Sequence, residues 1–135
     1  MMDSFVKVHA MHTGDLKYDR SLAFKELDVI PPVNQRGEAH QELVPVSAYL
    51  IEHPKFRIVV DAGWHEDIRT KPKEHFGEDL YQFIEYSLPE GSSLREQLAA
   101  KGLSPRDIDV VSSMSITAMI REFKYALSFH LVTER

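Results

Sequence analysis

The chain has 135 residues, a hydrophobic fraction of 43% and a formal net charge of −5. A chain of this size can bury one hydrophobic core, and its acidic balance argues against a nucleic-acid or anionic membrane surface. It has no cysteine, which excludes disulfides, thiolate zinc sites and a cysteine nucleophile. With no apolar run of about 18 residues and no leader-like start, we predict a cytoplasmic protein without a membrane span.

The first forty residues predict a strand and a long loop. Ser4 to His12 mixes apolar and polar residues, which predicts an edge strand or a half-buried strand, and Gly14-Asp15 is a turn signal. Ser21 to Glu26 is a candidate for a short strand that pairs back. Asp28 to Glu42 contains two adjacent prolines, which favour extended backbone and oppose a helix, so it predicts a loop.

The clearest pattern is Val44 to Gly63, which reads VPVSAYLIEHPKFRIVVDAG. Pro45 is placed to open a strand, Glu52 to Lys55 supplies a turn, and Arg57 to Asp61 forms the return strand. The apolar run from Ile58 to Val60 predicts a strand covered on both faces. This stretch is therefore a predicted hairpin at the centre of the fold.

Helices dominate the next part of the chain. Trp64 to Gly77 is polar and predicts one helical turn at His65 to Arg69, and Glu78 to Tyr86 has apolar residues at helical spacing. Ser93 to Lys101 is the clearest helix, because it begins with a capping-box pattern and is followed by a glycine.

The last fifth of the chain predicts a buried strand and then a helix and a strand. Asp109 to Ser113 is the buried strand, Ile116 to Leu127 has an apolar stripe at helical spacing, and His130 to Thr133 forms a last strand. Strands that alternate with helices in this way indicate an α/β fold.

The seven histidines are the first candidates for metal ligands. His9 and His12 are three residues apart on a predicted strand, which places them on opposite faces. His65 and His75 share a polar loop with acidic residues, and imidazole and carboxylate are both zinc ligands. Solvated loop residues have the same pattern, and we favour that interpretation. A zinc site rebuilt around His65 and His75 is the alternative.

Asp61 closes an apolar strand just before a glycine. In open α/β sheets, ligands bind beyond the carboxyl ends of the strands, so a carboxylate at this position is a candidate functional residue. A plain turn residue shows the same pattern, and spacing alone weights the two roles equally.

Three blocks in order carry a resemblance to a known family: VPVSAYLIEHPKFRIVVDAG, WHEDIRTKPKEHFG and LPEGSSLREQLAAKGLSPRDIDVV. Through them the chain resembles the N-terminal part of the metallo-β-lactamase superfamily, and within it the N-acyl homoserine lactonase type. The resemblance implies an α/β fold that is the first half of an αββα sandwich. It also implies a single partial domain over residues 1–135, truncated at its C-terminus.

In that family, the strand that matches Asp109 to Ser113 ends in a His-x-His-x-Asp-His loop with the first metal ligands. Two metal ions, here implied to be zinc, activate a water that attacks a lactone carbonyl, a reaction that degrades quorum signals. The resemblance thus implies a small-molecule lactone as substrate. It gives Asp61 a supporting role beside the metal loop.

This sequence departs from the family pattern after Val111. Residues 112–119 read SSMSITAM, and serine, threonine and methionine do not replace imidazole and carboxylate as tight zinc ligands. We therefore assign no catalytic residue and no metal ligand, and we place only Asp61. We expect a lactonase-related chain that is itself inactive. The alternative is a metal-free scaffold or interaction module with the same fold.

Half of a sandwich leaves one face of its sheet uncovered. A large exposed apolar patch on a monomer marks an interaction surface. We therefore expect self-association through that face, and no nucleic-acid or membrane partner.

Overall fold

Five strands form one sheet, in the order β4-β1-β2-β3-β5, in a computed structural model that describes residues 5–21 and 32–112. The strands are β1 (Lys7–Asp19), β2 (Gln41–His53), β3 (Phe56–Val60), β4 (Ile84–Ser87) and β5 (Val110–Ser112). The helices are α1 (Pro72–Phe76), α2 (Glu78–Tyr81) and α3 (Leu94–Ala100). Short 3-10 helices span Val33–Gln35, Glu38–His40, Glu66–Arg69 and Pro105–Asp107.

The sheet is mixed, because β3 and β5 are parallel while the other described neighbours are antiparallel. The predicted α/β class is confirmed. The predicted hairpin is also present, with β2 turning at Pro54-Lys55 into β3. Its first strand begins earlier than predicted, at Gln41, and Pro45 lies inside it. In that stretch β2 pairs with β1 alone among the described strands, which is where a strand tolerates a proline.

A β-bulge interrupts the pairing of β1 with β2. Between His12 and Asp15, two residues of β1, Thr13 and Gly14, lie opposite the single residue Val46. Gly14 has a φ of +106°, a conformation that glycine adopts readily. The turn predicted at Gly14-Asp15 is therefore wrong, because the glycine marks a bulge within one 13-residue strand.

The bulge keeps both halves of β1 facing the same core. Met11 lies opposite Ala48, and Leu16 lies opposite Val44. Because side chains alternate along a strand, positions 11 and 16 of an unbroken β1 would face opposite sides, and the extra residue reverses the alternation. Met11 and Leu16 accordingly join the two adjoining clusters on one face of the sheet.

Helices and loops cover that face. The cluster beside α3 consists of the buried residues Met11, Ala48, Leu50, Val59, Leu94 and Leu98. The cluster beside α1 consists of Trp64, Ile68, Phe76, Ile84 and Leu88. Each such side chain stabilises the fold by about 1.5–3 kcal/mol relative to an exposed one.

The described helices leave the opposite face of the sheet uncovered. Val59 is fully buried, but Ile58 and Val60 beside it are only half-buried, and Val110 is 44% exposed. The expectation that β3 is covered on both faces, and that the strand after Asp109 is buried, is therefore wrong. The described helices pack on one side alone.

The ends of α3 are those that the sequence predicts. The Ser93 hydroxyl accepts a hydrogen bond from the Glu96 N–H, and the Glu96 carboxylate accepts one from the Ser93 N–H at 2.9 Å, which completes the capping box. Gly102, with a φ of +74°, donates its N–H to the carbonyl of Ala99. This is the left-handed glycine at a helix C-terminus.

The structure differs from the predicted helices in two segments. The helical turn predicted at His65 to Arg69 is present as a 3-10 helix, but α1 follows it where an irregular loop was expected. The helix predicted over Glu78 to Tyr86 stops after α2, and the rest forms β4. β4 pairs with the second half of β1, so sheet pairing outweighs helical spacing there.

Three predicted elements lie outside the described residues: the helix at Ile116 to Leu127, the strand at His130 to Thr133 and nearly all of the strand at Ser21 to Glu26. Within the described ranges, no helix is long and apolar enough to cross a membrane.

A bidentate ion pair joins α3 to the 3-10 helix Glu66–Arg69. Arg69 donates from Nη1 and Nη2 to the Glu96 carboxylate at 2.9 and 2.7 Å, and also donates to the carbonyls of Leu88 and Pro89. The Arg69 guanidinium holds the pKa of Glu96 well below its usual range, against the opposing effect of burial and with further help from Ser93. The Arg69 side chain thereby connects its own 3-10 helix, the loop at Leu88-Pro89 and helix α3.

Glu96→Gln should lower the free energy of unfolding by about 2 kcal/mol at neutral pH, the size expected for hydrogen bonds to charged groups. Because the pKa of Glu96 is lower in the folded state, its stabilisation is present above the unfolded pKa, near 4.5, and is lost as the pH falls through the folded pKa. Urea denaturation at a series of acidic pH values should therefore show that the free energy of unfolding falls less steeply with decreasing pH in Glu96→Gln than in the wild type. Glu78→Gln, at an exposed position, is the control, and parallel curves for wild type and Glu96→Gln would contradict the prediction.

Candidate functional site

The carboxyl ends of β3 and β5 meet at one edge of the sheet. The two strands are parallel, with Val60 opposite Ser112, and the N–H of Asp61 donates to the Ser112 carbonyl at 2.7 Å. We call residues 61–63 together with Ser112 the β3/β5 edge. In α/β sheets, this is the edge at which ligands bind.

Asp61 occupies a strained backbone conformation at this edge. Its φ is +62°, and among the described residues it is the one non-glycine with a positive φ. Its Oδ1 accepts hydrogen bonds from the N–H groups of Ala62 at 2.6 Å and Gly63 at 3.1 Å. Aspartate tolerates this conformation because its short side chain bonds the local backbone. These contacts account for a turn role, and the supporting role beside a metal loop stays a prediction.

Gly63 allows the loop after β3 to lie against the bulge of β1. Its φ is +62°, and a Cβ at this position would lie 2.0 Å from Oγ1 of Thr13. Thr13 is fully buried, and its hydroxyl donates to the carbonyl of Val46 at 3.0 Å. The sequence analysis did not predict this contact, because a threonine within a strand carries no signal of a distant glycine.

Trp64 holds the same loop on the other half of β1. The side chain is 3% exposed, and its Nε1 donates to the carbonyl of Asp15 at 3.3 Å. Its ring meets Phe76 of α1 edge-on, with centroids 5.2 Å apart. The segment that leaves the β3/β5 edge is thus fixed by packing on both sides of the bulge.

The structure brings His65 and His75 together. Their rings stack with centroids 5.8 Å apart and planes 12° apart, because α1 turns His75 back toward the preceding 3-10 helix. His65 Nδ1 accepts the N–H of Asp67 at 3.2 Å and so caps that helix. Over residues 5–21 and 32–112, no group of three or more His, Cys, Asp or Glu side chains could hold a metal ion. A rebuilt zinc site there is not supported, since zinc takes at least three protein ligands.

The histidines of β1 have separate partners. His9 Nε2 lies 3.0 Å from Glu52 Oε1, and His12 Nε2 lies 2.9 Å from Asp15 Oδ1. The two imidazoles therefore belong to different surface pairs, in keeping with the prediction that their spacing does not build one site.

The residues at the β3/β5 edge do not fit a pair of metal ions. Asp61 directs Oδ1 to its own turn, and the positions that follow β5, residues 112–119, contain no histidine or aspartate. Serine, threonine and methionine are poor ligands for zinc. Over residues 5–21 and 32–112, this edge therefore offers no recognisable set of ligands for two metal ions.

The model of the metallo-β-lactamase superfamily matches residues 42–111, just over half of the chain, and the chain belongs to this superfamily. The matched range contains β3, β4, the three α-helices and nearly all of β2 and β5. It therefore includes the hairpin and all of the β3/β5 edge except Ser112. The chain is 32% identical, over 81 residues, to the N-acyl homoserine lactonase AttM of Azorhizobium caulinodans. That match covers 58% of this chain and 29% of the relative. The lactonase-type resemblance that the sequence blocks predict is confirmed.

Solved lactonases share the fold of the described strands. An N-acyl homoserine lactone hydrolase, with N-hexanoyl-L-homoserine at its catalytic metal centre, matches with a TM-score of 0.57 and 22% identity, over 78% of this chain and 38% of that one. A variant of AiiA from B. thuringiensis, with N-decanoyl-L-homoserine at its active site, matches with a TM-score of 0.59 and 22% identity over the same shares. A probable metal-dependent hydrolase from Staphylococcus aureus reaches a TM-score of 0.51 and 23% identity, over 86% and 39%. At these identities the match shows the fold, and the chain spans less than half the length of each relative.

Gly63→Ala should lower the free energy of unfolding by about 3 kcal/mol or more, because the positive φ and the overlap with Thr13 both oppose a side chain. Gly102→Ala is the matched control, since its φ is also positive but nothing lies within 4 Å of the added Cβ. The control should lose only about 1 kcal/mol. Urea denaturation of both variants measures the difference, and equal losses would argue against a close approach at Gly63.

Asp61→Asn should change the free energy of unfolding by less than about 0.5 kcal/mol, because asparagine tolerates a positive φ and keeps an oxygen acceptor for the turn. Asp61→Ala should cost about 2 kcal/mol, since it loses both hydrogen bonds and keeps the strain. Thermal and urea unfolding of the pair provide the measurement. If asparagine costs as much as alanine, the charge of Asp61 matters to the fold and the turn interpretation fails.

Proposed function

We propose that this chain carries the scaffold of a lactonase-type metallo-β-lactamase protein, and that by itself it does not hydrolyse lactones. The observation that supports the proposal is the β3/β5 edge. The parallel strand pair and the turn at Asp61 are present there, while residues 112–119 offer no histidine or aspartate. The chain therefore keeps the strands and the turn of this edge, and it lacks the metal-binding residues that the family pattern places directly after β5.

The parent activity of the scaffold is proposed to be metal-dependent hydrolysis of a lactone ring. The relatives that share its fold include N-acyl homoserine lactonases, so the substrate class is a small-molecule lactone and the process is quorum-signal degradation. Two zinc ions are the implied cofactor, and they would supply a bound water of lowered pKa and polarise the carbonyl. Such chemistry needs ligands that the described residues do not group together.

Asp61 is proposed to support that site as a positioning residue. Its carboxylate holds the turn over residues 61–63, and its N–H extends the pairing of β3 with β5 by one step. A loop that leaves β5 at Ser112 would therefore start from a fixed place. This role concerns the backbone and requires no contact with substrate.

A metal-free scaffold or interaction module is the second candidate. It is favoured by the large apolar side chains that the described surface exposes, among them Val8 at 62% and Tyr49 at 42%. In this alternative, the fold persists because its surface binds a partner, and the missing ligands are of no consequence.

Zinc content and lactone hydrolysis of the purified chain test the proposal. We expect substoichiometric zinc by mass spectrometry, and no hydrolysis of N-hexanoyl homoserine lactone above the buffer rate, with AiiA assayed in parallel as the active control. Hydrolysis that a chelator abolishes would overturn the proposal. Stoichiometric zinc that is lost in His65→Ala would instead establish the rebuilt site. A cooperative unfolding transition in a metal-free chain of defined size would favour the module, and indefinite aggregation would argue against it.

A further inference from the structure

Two imidazole rings join the 3-10 helix Glu66–Arg69 to helix α1. His65 precedes the 3-10 helix and His75 lies near the end of α1, and their rings stack with centroids 5.8 Å apart and planes 12° apart. Both residues are half-buried. We call the two rings, together with the two short helices that they connect, the histidine junction.

The hydrogen bond at His65 requires a neutral ring. Its Nδ1 accepts the N–H of Asp67 at 3.2 Å, so the proton of the neutral imidazole is on Nε2. A protonated imidazole has a donor on both nitrogens and cannot accept this hydrogen bond. Because Asp67 Oδ2 lies 3.4 Å from the same Nδ1, a protonated His65 can instead donate to that carboxylate. The Nδ1 atom thus has two alternative partners, and the pH selects between them.

A second proton, on His75, would place two positive charges on stacked rings. Like charges at 5.8 Å repel, and half-buried side chains are screened less than fully exposed ones. The Asp67 carboxylate carries one negative charge and offsets one imidazolium. The stacked state therefore binds fewer protons than a state in which the rings are apart, and acid favours separation.

The charged groups on the 3-10 helix side of the junction are engaged with α3 and the loop before it. Glu66 Oε1 accepts a hydrogen bond from Ser93 Oγ at 2.8 Å, and Arg69 Nη2 donates to Glu96 Oε2 at 2.7 Å. Glu90, in the loop before α3, also attracts Arg69.

The charged groups on the α1 side are two lysines and one glutamate. Lys73 Nζ lies 5.5 Å from the ring centroid of Tyr81, and Lys71 and Glu74 have opposite charges. Together with those of the 3-10 helix, residues 65–75 contain three acidic and three basic side chains. The junction is thus formally neutral while its histidines are neutral, and in mild acid it gains charge through them.

We propose that the histidine junction is a pH-sensitive device, in which protonation of His65 and His75 releases α1 from the 3-10 helix. At neutral pH, the cap at Nδ1 and the ring stack hold the two helices together. In mild acid the cap is lost and the two imidazolium rings separate. Histidine suits this role because imidazole is the side chain that ordinarily changes charge between about pH 5 and pH 8.

The junction is linked to the segment that leaves the β3/β5 edge. His75 meets the ring of Phe76 edge-on with centroids 5.4 Å apart, and Phe76 meets Trp64 in the same way at 5.2 Å. Trp64 directly follows residues 61–63 of that edge. Release of α1 therefore loosens the packing of Phe76 on Trp64, and with it the loop at the edge. The device belongs to the fold and does not depend on whether the chain hydrolyses lactones.

NMR spectroscopy between about pH 8 and pH 5, in buffer with a chelator, tests the proposal in the range where imidazoles titrate. Carboxylic acids ordinarily titrate near pH 4, so they contribute little there. The amide signal of Asp67 reports the cap, and the indole N–H signal of Trp64, the one tryptophan of the chain, reports the packing beyond it.

We expect the Asp67 and Trp64 signals to shift with one shared midpoint, because a single opening event changes both. Far-UV circular dichroism should stay constant over the same range, since the release is local. An Asp67 shift without a Trp64 shift would overturn the proposal. So would a loss of circular dichroism with the same midpoint, because the whole fold would then be unfolding.

Two variants keep the contacts of the junction and remove its charges. His75→Phe retains a ring for the stack but cannot be protonated, so the Trp64 signal should lose most of its shift. His65→Asn retains an acceptor for the Asp67 N–H, so the Asp67 signal should become nearly independent of pH. A Trp64 signal that titrates in His75→Phe as it does in the wild type would contradict the proposal.

His12→Gln is the matched control. His12 is another histidine close to Trp64, because its Nε2 lies 2.9 Å from Asp15 Oδ1 and the Asp15 carbonyl accepts the indole N–H. This variant should keep the wild-type midpoints of both signals. If it abolished the Trp64 shift, the titration of His12 would be the cause and the proposal would fail.

Discussion

The close approach of Gly63 to Thr13 is the contact on which the rest of the described structure depends. It requires a bulge in β1 on one side and a glycine with positive φ on the other. The bulge lets β1 present Met11 and Leu16 to one face, and the glycine brings the chain from the end of β3 back across that strand. This one contact therefore fixes the side-chain alternation along β1, the path of the loop after β3 and the position of Asp61 at the start of that loop.

The β3/β5 edge is held together by backbone pairing, a turn and side-chain packing. The parallel pairing, the turn at Asp61 and the packing of Trp64 all involve backbone groups and buried side chains, and none of them needs a metal ligand. The architecture of this edge therefore does not require a histidine or an aspartate at residues 112–119, where this sequence has neither. The energy of folding comes from burial and hydrogen bonding, and ligand residues contribute little to either.

The described helices cover one face of the sheet and not the other, although both faces carry apolar side chains. Helix α3 and the loop around Trp64 cover one face, and Arg69 fastens them through Glu96 and two carbonyls. The described elements supply no such cover for the other face, although the alternation of β2 and β3 places branched apolar residues on both. Apolar side chains that the described elements leave exposed are stabilised when another apolar surface removes them from water.

Local signals in the sequence predicted the hairpin, the capping box of α3, the glycine at its end and the place of Asp61 beyond β3. Each of these depends on residues close together in the chain, and the ordered blocks also predicted the family. The sequence did not predict the bulge, the strand β4 or the stacking of His65 on His75. These features arise from pairing between segments far apart, where the free energy of a β-ladder or a buried ring outweighs local preference. The sequence by itself determined the local elements and the absence of histidine and aspartate from residues 112–119. The tertiary structure decided which face of the sheet the described helices cover, because that depends on pairing between distant segments.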